Sequence, residues 1–295
     1  MALILGPRMP MTDDVLRRLQ CWSGRLRAWV TEAPVGTARY RFCLAVLLSR
    51  RAPTQPSRAH LMTAALFAPL RDRVPWLRDR WHTVRLLEPP HKVIWTVGPA
   101  SDFDVLNEVL VLGEYDNLEL ESPLVIFDLG SHIGASILRL HAAYPQAHIY
   151  GFEPDPATFT RLARNVAQLR GITVLPWAIG DVDGHSAFYP RRQSWVSSGV
   201  PSESAAPITV ESVTLDSSLE RLGIRHVDLI KIDVEGAEAS ILGPSRSLSK
   251  VGMIIGELHG ESARREVVPL LADFEIETHG HPNHCHFRAR RRLAS

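Results

Sequence analysis

The chain has 295 residues, 45% of them hydrophobic, which is enough for one α/β core with an extension or for two small domains. Its three cysteines, Cys21, Cys43 and Cys285, fit neither a disulfide framework nor the spacing of a zinc site, which favours a reducing cytoplasm. No apolar run approaches the roughly 20 residues of a membrane-spanning helix. The composition therefore predicts a cytoplasmic globular protein and argues against a membrane span.

The net charge of +1 divides into two opposite parts. Residues 1–95 carry 16 Arg and Lys against 6 Asp and Glu, whereas the remainder carries 17 against 26. Three explanations fit the basic part: packing on the chain's own acidic region, docking on an acidic carrier protein, and pairing in a homo-oligomer. The acidic remainder would repel phosphates, which argues against nucleic acid as a substrate.

A helical extension is predicted over residues 1–80. A capping residue at Thr12 is followed by two acids and then by apolar residues at spacings of three and four. Further helices are predicted from Thr37 and over 58–70. None of them carries recognisable chemistry, so the functional residues are expected in a second domain, 81–295.

The second domain begins with a predicted strand pair and a capped helix, and from Val125 apolar runs of strand length alternate with helical patterns. Such alternation is typical of a parallel sheet. The main predicted strands are 125–130, 148–154, 172–179, 227–233 and 253–258, followed by an antiparallel hairpin over 274–278 and 284–289. The predicted fold is therefore α/β, with a mixed, Rossmann-like sheet of about seven strands.

Polar residues stand at the ends of five successive predicted strands. Because ligands of such sheets bind at the carboxyl ends of the strands, these residues are the candidates for a site. They are Asp128 and Gly130; Glu153; Trp177, Ala178 and Asp181; Lys231, Asp233 and Glu235; Glu257 and His259.

The turn after the first of these strands is built to hold a ligand. Gly130 and Gly134 lack a Cβ, so a ligand can approach the backbone, and the helix that follows offers free N–H donors. Glu153, 25 positions after Asp128, suits a ribose diol, which leaves NAD and S-adenosylmethionine as cofactors. A dinucleotide fold needs Gly-x-Gly-x-x-Gly, and residues 130–134 depart from it, which disfavours a dehydrogenase.

Four motifs of the chain resemble those of the FkbM family of S-adenosylmethionine-dependent methyltransferases. They are Asp128-Leu-Gly130-Ser-His-Ile-Gly134, Gly151-Phe-Glu-Pro-Asp155, Ala178-Ile-Gly-Asp181 and Asp228-Leu-Ile-Lys-Ile-Asp-Val-Glu-Gly-Ala-Glu238. The resemblance covers about residues 95–288 and implies a sheet like that of class I methyltransferases. The pair Ser131-His132 departs from the family's usual Ala-Asn.

The resemblance also implies roles for the residues of these motifs. The expected cofactor-binding residues are Asp128, Gly130, Ser131, His132 and Gly134 around the methionine part, Glu153 at the ribose, and Ala178 and Asp181 near the adenine. Pro154 is also expected to bind the cofactor; alternatively, Pro154-Asp155-Pro156 only caps the next helix. Asp181 alternatively serves only its turn, because aspartate often bonds its own backbone there.

Methyl transfer to a hydroxyl needs a group that takes the proton. His259 is the predicted base, and Lys231 and Asp233, which share one face of a strand, are predicted to orient the acceptor. Alternatively, Lys231 only neutralises neighbouring acids. A Mg²⁺ ion held by carboxylates is an alternative to the base. Its candidate ligands are Asp233, Glu235, Glu257 and His259. The cluster of His279, His281, His284, Cys285 and His286 fits no standard zinc spacing, so it is expected to form a polar hairpin tip rather than a metal site.

The leading hypothesis is a methyltransferase that acts on a hydroxyl of a small molecule, either a natural product or a sugar. An N- or carboxyl-methylating enzyme would share every cofactor residue and differ only in the acceptor pocket. A non-catalytic module with a degenerate site is a third hypothesis, against which the intact Asp128, Glu153 and Asp233 argue.

Overall fold

The computed structural model describes residues 38–71, 73–74, 80–190, 206–258, 260–281 and 284–292. The helix predicted from Thr12, most of the long loop between 190 and 206, and His259 lie outside these ranges. The chain divides into two compact units, one ending at Leu118 and one beginning at Glu119. In the part of the chain that is described, no helix is both long enough and apolar enough to cross a membrane.

The first unit combines helices with a β-hairpin. Its elements are α1 (Ala38–Ser49), α2 (Gln55–Arg71), β1 (His82–Glu88), β2 (His91–Val97) and α3 (Ala100–Leu106), which continues as π-helical turns over Asn107–Leu112. Strands β1 and β2 pair antiparallel along their whole length. Arg51 holds the buried Glu88 in an ion pair of 2.6 Å. The predicted helix from Thr37 and the predicted strand pair are thereby confirmed to within one residue.

The second unit is built on a seven-stranded sheet. Its strands are β3 (Val125–Leu129), β4 (His148–Phe152), β5 (Ile172–Leu175), β9 (Val227–Ile232), β10 (Val251–Leu258), β11 (Phe274–His281) and β12 (His284–Arg291). Their order is β11-β12-β10-β9-β3-β4-β5, and β12 runs antiparallel to both of its neighbours. The other pairs, β3 with β4 and β9, β4 with β5, and β9 with β10, are parallel. The predicted mixed sheet of about seven strands is confirmed.

Helices flank this sheet, and local sequence signals begin and end several of them. They are α4 (Ala135–Ala143), α5 (Pro156–Val166), α6 (Leu215–Leu222), α7 (Glu238–Leu242) and α8 (Gly260–Leu270). The carboxylate of Asp155 accepts from the N–H of Thr158 and so caps α5, and Pro156 follows in the first helical turn. Thr214 caps α6 through the N–H of Ser217.

The prediction of one strand over 172–179 is wrong. The chain forms two strands, β5 and then β6 (Trp177–Gly180), which separate at Pro176. Proline has no N–H for a ladder hydrogen bond and is therefore excluded from the middle of a paired strand. Strand β6 instead joins a three-stranded sheet in the order β6-β8-β7, with β8 spanning Ile208–Thr214 and β7 spanning Gly184–Phe188.

Alternate residues of the central strands face opposite sides of the seven-stranded sheet. Phe127, Phe152 and Ile230 are buried in a large apolar cluster that also contains residues of α6, α7 and α8. Asp128 and Lys231 occupy the next positions along β3 and β9 and therefore face the other side. The strand order reverses between β3 and β9, which is where ligands of open α/β sheets bind.

Candidate active site

The loop from Gly130 to Gly134 lies tightly against the end of β9. Gly130 has φ +78°, and a Cβ built on it would lie 2.0 Å from the carbonyl oxygen of Asp233. Only glycine fits this position, because a side chain would collide with backbone that cannot move away. The N–H groups of Gly130 and Ser131 both donate to the carbonyl of Phe152, at 3.1 and 2.9 Å. The loop is therefore fixed to the ends of both neighbouring strands.

A buried ion pair stands under this loop. Asp128 is fully buried, and Lys231, its register partner on β9, is 3% exposed. Lys231 Nζ lies 3.3 Å from Asp128 Oδ1 and donates to the carbonyl oxygen of Gly130 at 2.7 Å. Ser136 at the start of α4 donates to Asp128 Oδ2 at 2.6 Å. The ion pair therefore joins β3, β9 and the loop, and it positions the loop relative to both strands.

Asp233, predicted to orient the acceptor with Lys231, lies nearer the surface. Its side chain is 27% exposed and its Oδ2 is 3.8 Å from Lys231 Nζ. Its backbone N–H donates to the carbonyl of Leu129 at 3.1 Å, which extends the pairing of β3 and β9 by one residue. Of the two residues, only Asp233 offers an exposed side chain. The roles of both toward an acceptor stay predictions.

Glu153 is the buried acid at the end of β4. Its Oε2 accepts from the N–H of His132 at 3.0 Å, and its Oε1 accepts from the N–H of Asp155 at 2.9 Å. Burial raises the pKa of Glu153 to about 7, while these two backbone N–H groups and Lys231 act in the opposite direction. A carboxylate has about four acceptor sites, so two oxygens held in this way can still accept from two ligand hydroxyls.

His132 and Ser131, the two residues that depart from the family pattern, are both buried. Burial lowers the pKa of His132 to about 3, and the nearby charges of Arg161 and Lys231 act in the same direction, so its imidazole is neutral. Ser131 Oγ turns inward and donates to the carbonyl of Asp128 at 2.8 Å. In this chain, the hydroxyl of Ser131 thus stabilises the turn itself.

The residues predicted near the adenine are less enclosed. Ala178 is half-buried in β6, and Asp181 is exposed in the turn that follows, as the turn explanation of this residue expects. The ring of Trp177 stacks on Phe152, the residue before Glu153, with centroids 6.2 Å apart, and so packs on the apolar cluster of the sheet. Sequence reasoning noted Trp177 at the strand end but gave it no role. The cofactor assignments of Ala178 and Asp181 stay predictions, as does that of Pro154, which is half-buried.

The arrangement of carboxylates does not support the alternative magnesium site. Among the described residues, Asp233, Glu235 and Glu257 do not bring three ligand atoms within 4.8 Å of one another. Glu257 instead lies beside His286, with Oε1 and Nδ1 3.4 Å apart.

The cap of α5 offers a modest test of the link between this helix and Glu153. We expect Asp155→Ala to lower the free energy of unfolding by about 1 kcal/mol, the usual cost of a lost cap, and also to weaken binding of S-adenosylhomocysteine several-fold. The reason is that the N–H of Asp155, which holds Glu153, loses its fixed position. Thermal melting and calorimetric titration measure the two effects.

Thr214→Ala is the matched control, because it removes the equivalent cap from α6, and the hydrogen bonds described for Glu153 come from His132 and Asp155 rather than from Thr214. It should cost similar stability and leave the affinity unchanged. Equal affinity losses in both variants would show that the effect of Asp155→Ala is only general destabilisation.

Three features define the fold of class I methyltransferases. They are a strand order with one reversed strand next to an edge, a glycine turn after the central strand β3, and an acid at the end of its neighbour β4. The residues present fit S-adenosylmethionine, because Glu153, held by the N–H groups of His132 and Asp155, still offers acceptors to a diol. The chain belongs to the FkbM methyltransferase family, whose domain model matches residues 128–282. The predicted family, fold class and enzyme class are confirmed.

Several known proteins are similar to the chain. The 2-O-methyltransferase NoeI of Sinorhizobium fredii is 29% identical over 60% of this chain and 81% of its own length. The hexuronic acid methyltransferase AglP of Haloferax volcanii is 28% identical over 74% of this chain and 86% of its own. Fibrillarin of Methanococcus jannaschii, a solved structure, covers 71% of this chain and 88% of its own at 11% identity and a TM-score of 0.44.

Proposed function

We propose that the protein transfers a methyl group from S-adenosylmethionine to a hydroxyl group of a small molecule, either a sugar or a natural product. The buried carboxylate of Glu153, held by two backbone N–H groups at the carboxyl edge of the sheet, is the observation that carries the cofactor assignment. A buried acid whose ionised form is disfavoured costs stability, so its presence is best explained by a ligand that donates to it.

The chain's own residues divide the work of holding the cofactor. Glu153 accepts the ribose hydroxyls, and the loop from Gly130 to Gly134, which is tied to Glu153 through the N–H of His132, contacts the methionine part. Lys231 keeps that loop and Asp128 in place. When bound, S-adenosylmethionine supplies a methyl group activated by the positive charge on its sulfur. The protein has to align the acceptor and accept its proton.

The acceptor class is supported by the names of relatives. NoeI is named for 2-O-methylation, AglP for a hexuronic acid, and the FkbM protein of Streptomyces tacrolimicus for 31-O-demethyl-FK506. Two of these names specify an oxygen, and the third a sugar acid that carries both hydroxyls and a carboxyl group. A hydroxyl acceptor is thus favoured over nitrogen.

Calorimetric titration tests the cofactor assignment. We expect S-adenosylhomocysteine to bind in the micromolar range, about −8 kcal/mol, and NAD not to bind under the same conditions. Binding of NAD alone would indicate a dehydrogenase instead. Binding of neither compound would favour the degenerate module.

The transferred methyl group identifies the acceptor class. Purified protein is incubated with S-adenosylmethionine labelled on the methyl group and with p-nitrophenyl glycosides of neutral hexoses and of hexuronic acids. Label that survives mild alkali is on a hydroxyl as an ether, whereas label released by alkali is on a carboxyl as an ester. Repeating the assay with EDTA decides whether a divalent metal takes part.

A further inference from the structure

The group that takes the proton from the acceptor is the part of the proposed reaction that the site above leaves open. Lys231 is engaged with Asp128 and the glycine loop, and His259 lies outside the described residues. We propose that His286 is the general base and that Glu257 is the residue that positions its ring. This inference rests on the proposed function, methyl transfer to a hydroxyl.

The register of the sheet places Glu257 and His286 at the edge where the loop from Gly130 to Gly134 lies. Ile232, the last residue of β9, is the neighbour of Gly256, and Gly256 lies opposite Phe287. Glu257 and His286 oppose each other one residue farther out. Both residues therefore stand just beyond the end of β9, at the carboxyl edge at which ligands of such sheets bind.

Both side chains also face the side of the sheet that carries the buried ion pair. Lys231, which contacts Asp128, is the register partner of Ile255. Because side chains alternate along a strand, Glu257 faces the same side as Ile255, and His286 faces that side as its cross-strand partner. The imidazole of His286 thus lies at the carboxyl edge of the sheet and on the side that carries Asp128 and Lys231, which is where the acceptor has to approach.

The contact between the two residues is the one a base requires. Glu257 Oε1 lies 3.4 Å from His286 Nδ1; the side chain of Glu257 is 11% exposed and that of His286 is 31% exposed. A carboxylate beside Nδ1 favours the tautomer that carries its proton there, which leaves Nε2 as the nitrogen that accepts one. The orienting group is thus buried, and the ring it orients reaches the surface.

In the proposed methyl transfer, the O–H bond of the acceptor breaks and its proton passes to Nε2 of His286, while the oxygen forms a bond to the methyl carbon. The bond between that carbon and sulfur breaks, and its electron pair stays on sulfur, so the sulfonium leaves as the neutral thioether S-adenosylhomocysteine. The imidazolium of His286 then returns its proton to water.

The kinetic test uses the p-nitrophenyl glycoside that the wild type methylates fastest. His286→Ala should lower kcat about 100-fold or more, the usual contribution of a general base, and leave the Kd of S-adenosylhomocysteine within about twofold. Added imidazole should restore part of the lost turnover. Glu257→Gln should lower kcat about tenfold, because the ring loses the charge that fixes its tautomer.

His226→Ala is the matched control. His226 also lies beside a carboxylate, with Nε2 3.5 Å from Asp228 Oδ1, but it precedes β9 and stands at the opposite edge of the sheet. It should retain the wild-type kcat. An unchanged kcat in His286→Ala, or a rise in KM alone, would overturn the assignment, as would a loss of turnover confined to His259→Ala.

A measurement without an acceptor separates failure of this inference from failure of the proposed function. Nitrogen-15 NMR of labelled histidine should show His286 as the neutral Nδ1–H tautomer, and Glu257→Gln should abolish that preference. A stable Nε2–H tautomer overturns the inference even if methyl transfer is observed. If S-adenosylhomocysteine binds but no glycoside is methylated, the acceptor class is wrong and the tautomer still decides on His286.

Discussion

Glu153→Gln is expected to weaken binding of S-adenosylhomocysteine about 100-fold while the protein remains folded. A hydrogen bond to a charged acceptor contributes about 1.5–3 kcal/mol, and the ribose offers two donors to a carboxylate that is already oriented by His132 and Asp155. A loss of about 3 kcal/mol corresponds to about 100-fold in Kd. Calorimetric titration at about pH 8, where the wild-type carboxyl is ionised, measures the effect.

The pH dependence of that affinity follows from the raised pKa of about 7. Hydroxyl donors favour the ionised carboxylate, so wild-type affinity should rise from about pH 6 to about pH 8 and then level off. His132 does not contribute, because its pKa of about 3 keeps it neutral throughout this range. Glu153→Gln, which cannot ionise, should show no such rise.

The stability of the unliganded protein should fall as the pH rises, whereas the affinity rises. The folded pKa of Glu153 lies above its ordinary value of 4.5, so this group's contribution is fully present below that value and is lost as the pH rises through about 7. The melting temperature of the wild type relative to that of Glu153→Gln should therefore fall between pH 4.5 and about pH 7. Parallel melting curves at every pH would refute the raised pKa.

Glu211→Gln is the control for both measurements. Glu211 is an exposed carboxylate on β8 that pairs with Arg221 at 2.8 Å. Its replacement should leave the affinity and its pH dependence unchanged. If Glu153→Gln also binds S-adenosylhomocysteine with wild-type affinity, the ribose assignment is wrong.

The location of the site could be predicted because parallel strands share an edge. Once the alternation of strands and helices indicated a parallel sheet, Asp128, Glu153 and Lys231 had to meet at one edge, whatever the strand order. The glycine at 130 carried its own signal for a tight turn, and the structure shows that it makes room for the carbonyl of Asp233. The structure brings these residues together as the pattern requires.

The partners of those residues could not be predicted, because they depend on strand register. Lys231 was predicted either to orient an acceptor or to neutralise neighbouring acids. Its register partner Asp128 could not be named, because sequence does not show which residues of β3 and β9 stand side by side. The pair of Glu257 and His286 arises in the same way. His286 resembled part of a polar hairpin tip, although its place between the buried Cys285 and Phe287 was a signal of a defined face.

The break at Pro176 is a different kind of error. The residue was visible in the sequence, but the apolar run on either side of it suggested one continuous strand. A proline cannot supply the N–H that pairing on both sides demands, so the run divides between two sheets. That division places Trp177, rather than Ala178, on the ring of Phe152.

Lys231→Met should cost the fold about 3–5 kcal/mol, the usual penalty for removing one partner of a buried ion pair. The substitution keeps an apolar stem of similar length but leaves Asp128, which is fully buried, without the ammonium 3.3 Å away. The carbonyl of Gly130 loses its donor as well, so the cofactor loop loosens and affinity for S-adenosylhomocysteine falls. Calorimetric melting and titration record the two losses.

Two further variants separate the charge effect from general damage to the core. Adding Asp128→Asn to Lys231→Met removes the stranded charge and should recover much of the stability, since replacing both members of a buried pair is often close to neutral. It should not recover cofactor affinity if Asp128 holds the methionine part. Arg221→Ala, which breaks an exposed pair, should cost less than about 1 kcal/mol. A Lys231→Met variant as stable as Arg221→Ala would mean that the pair of Asp128 and Lys231 does not stabilise the fold and that Lys231 does not hold the loop.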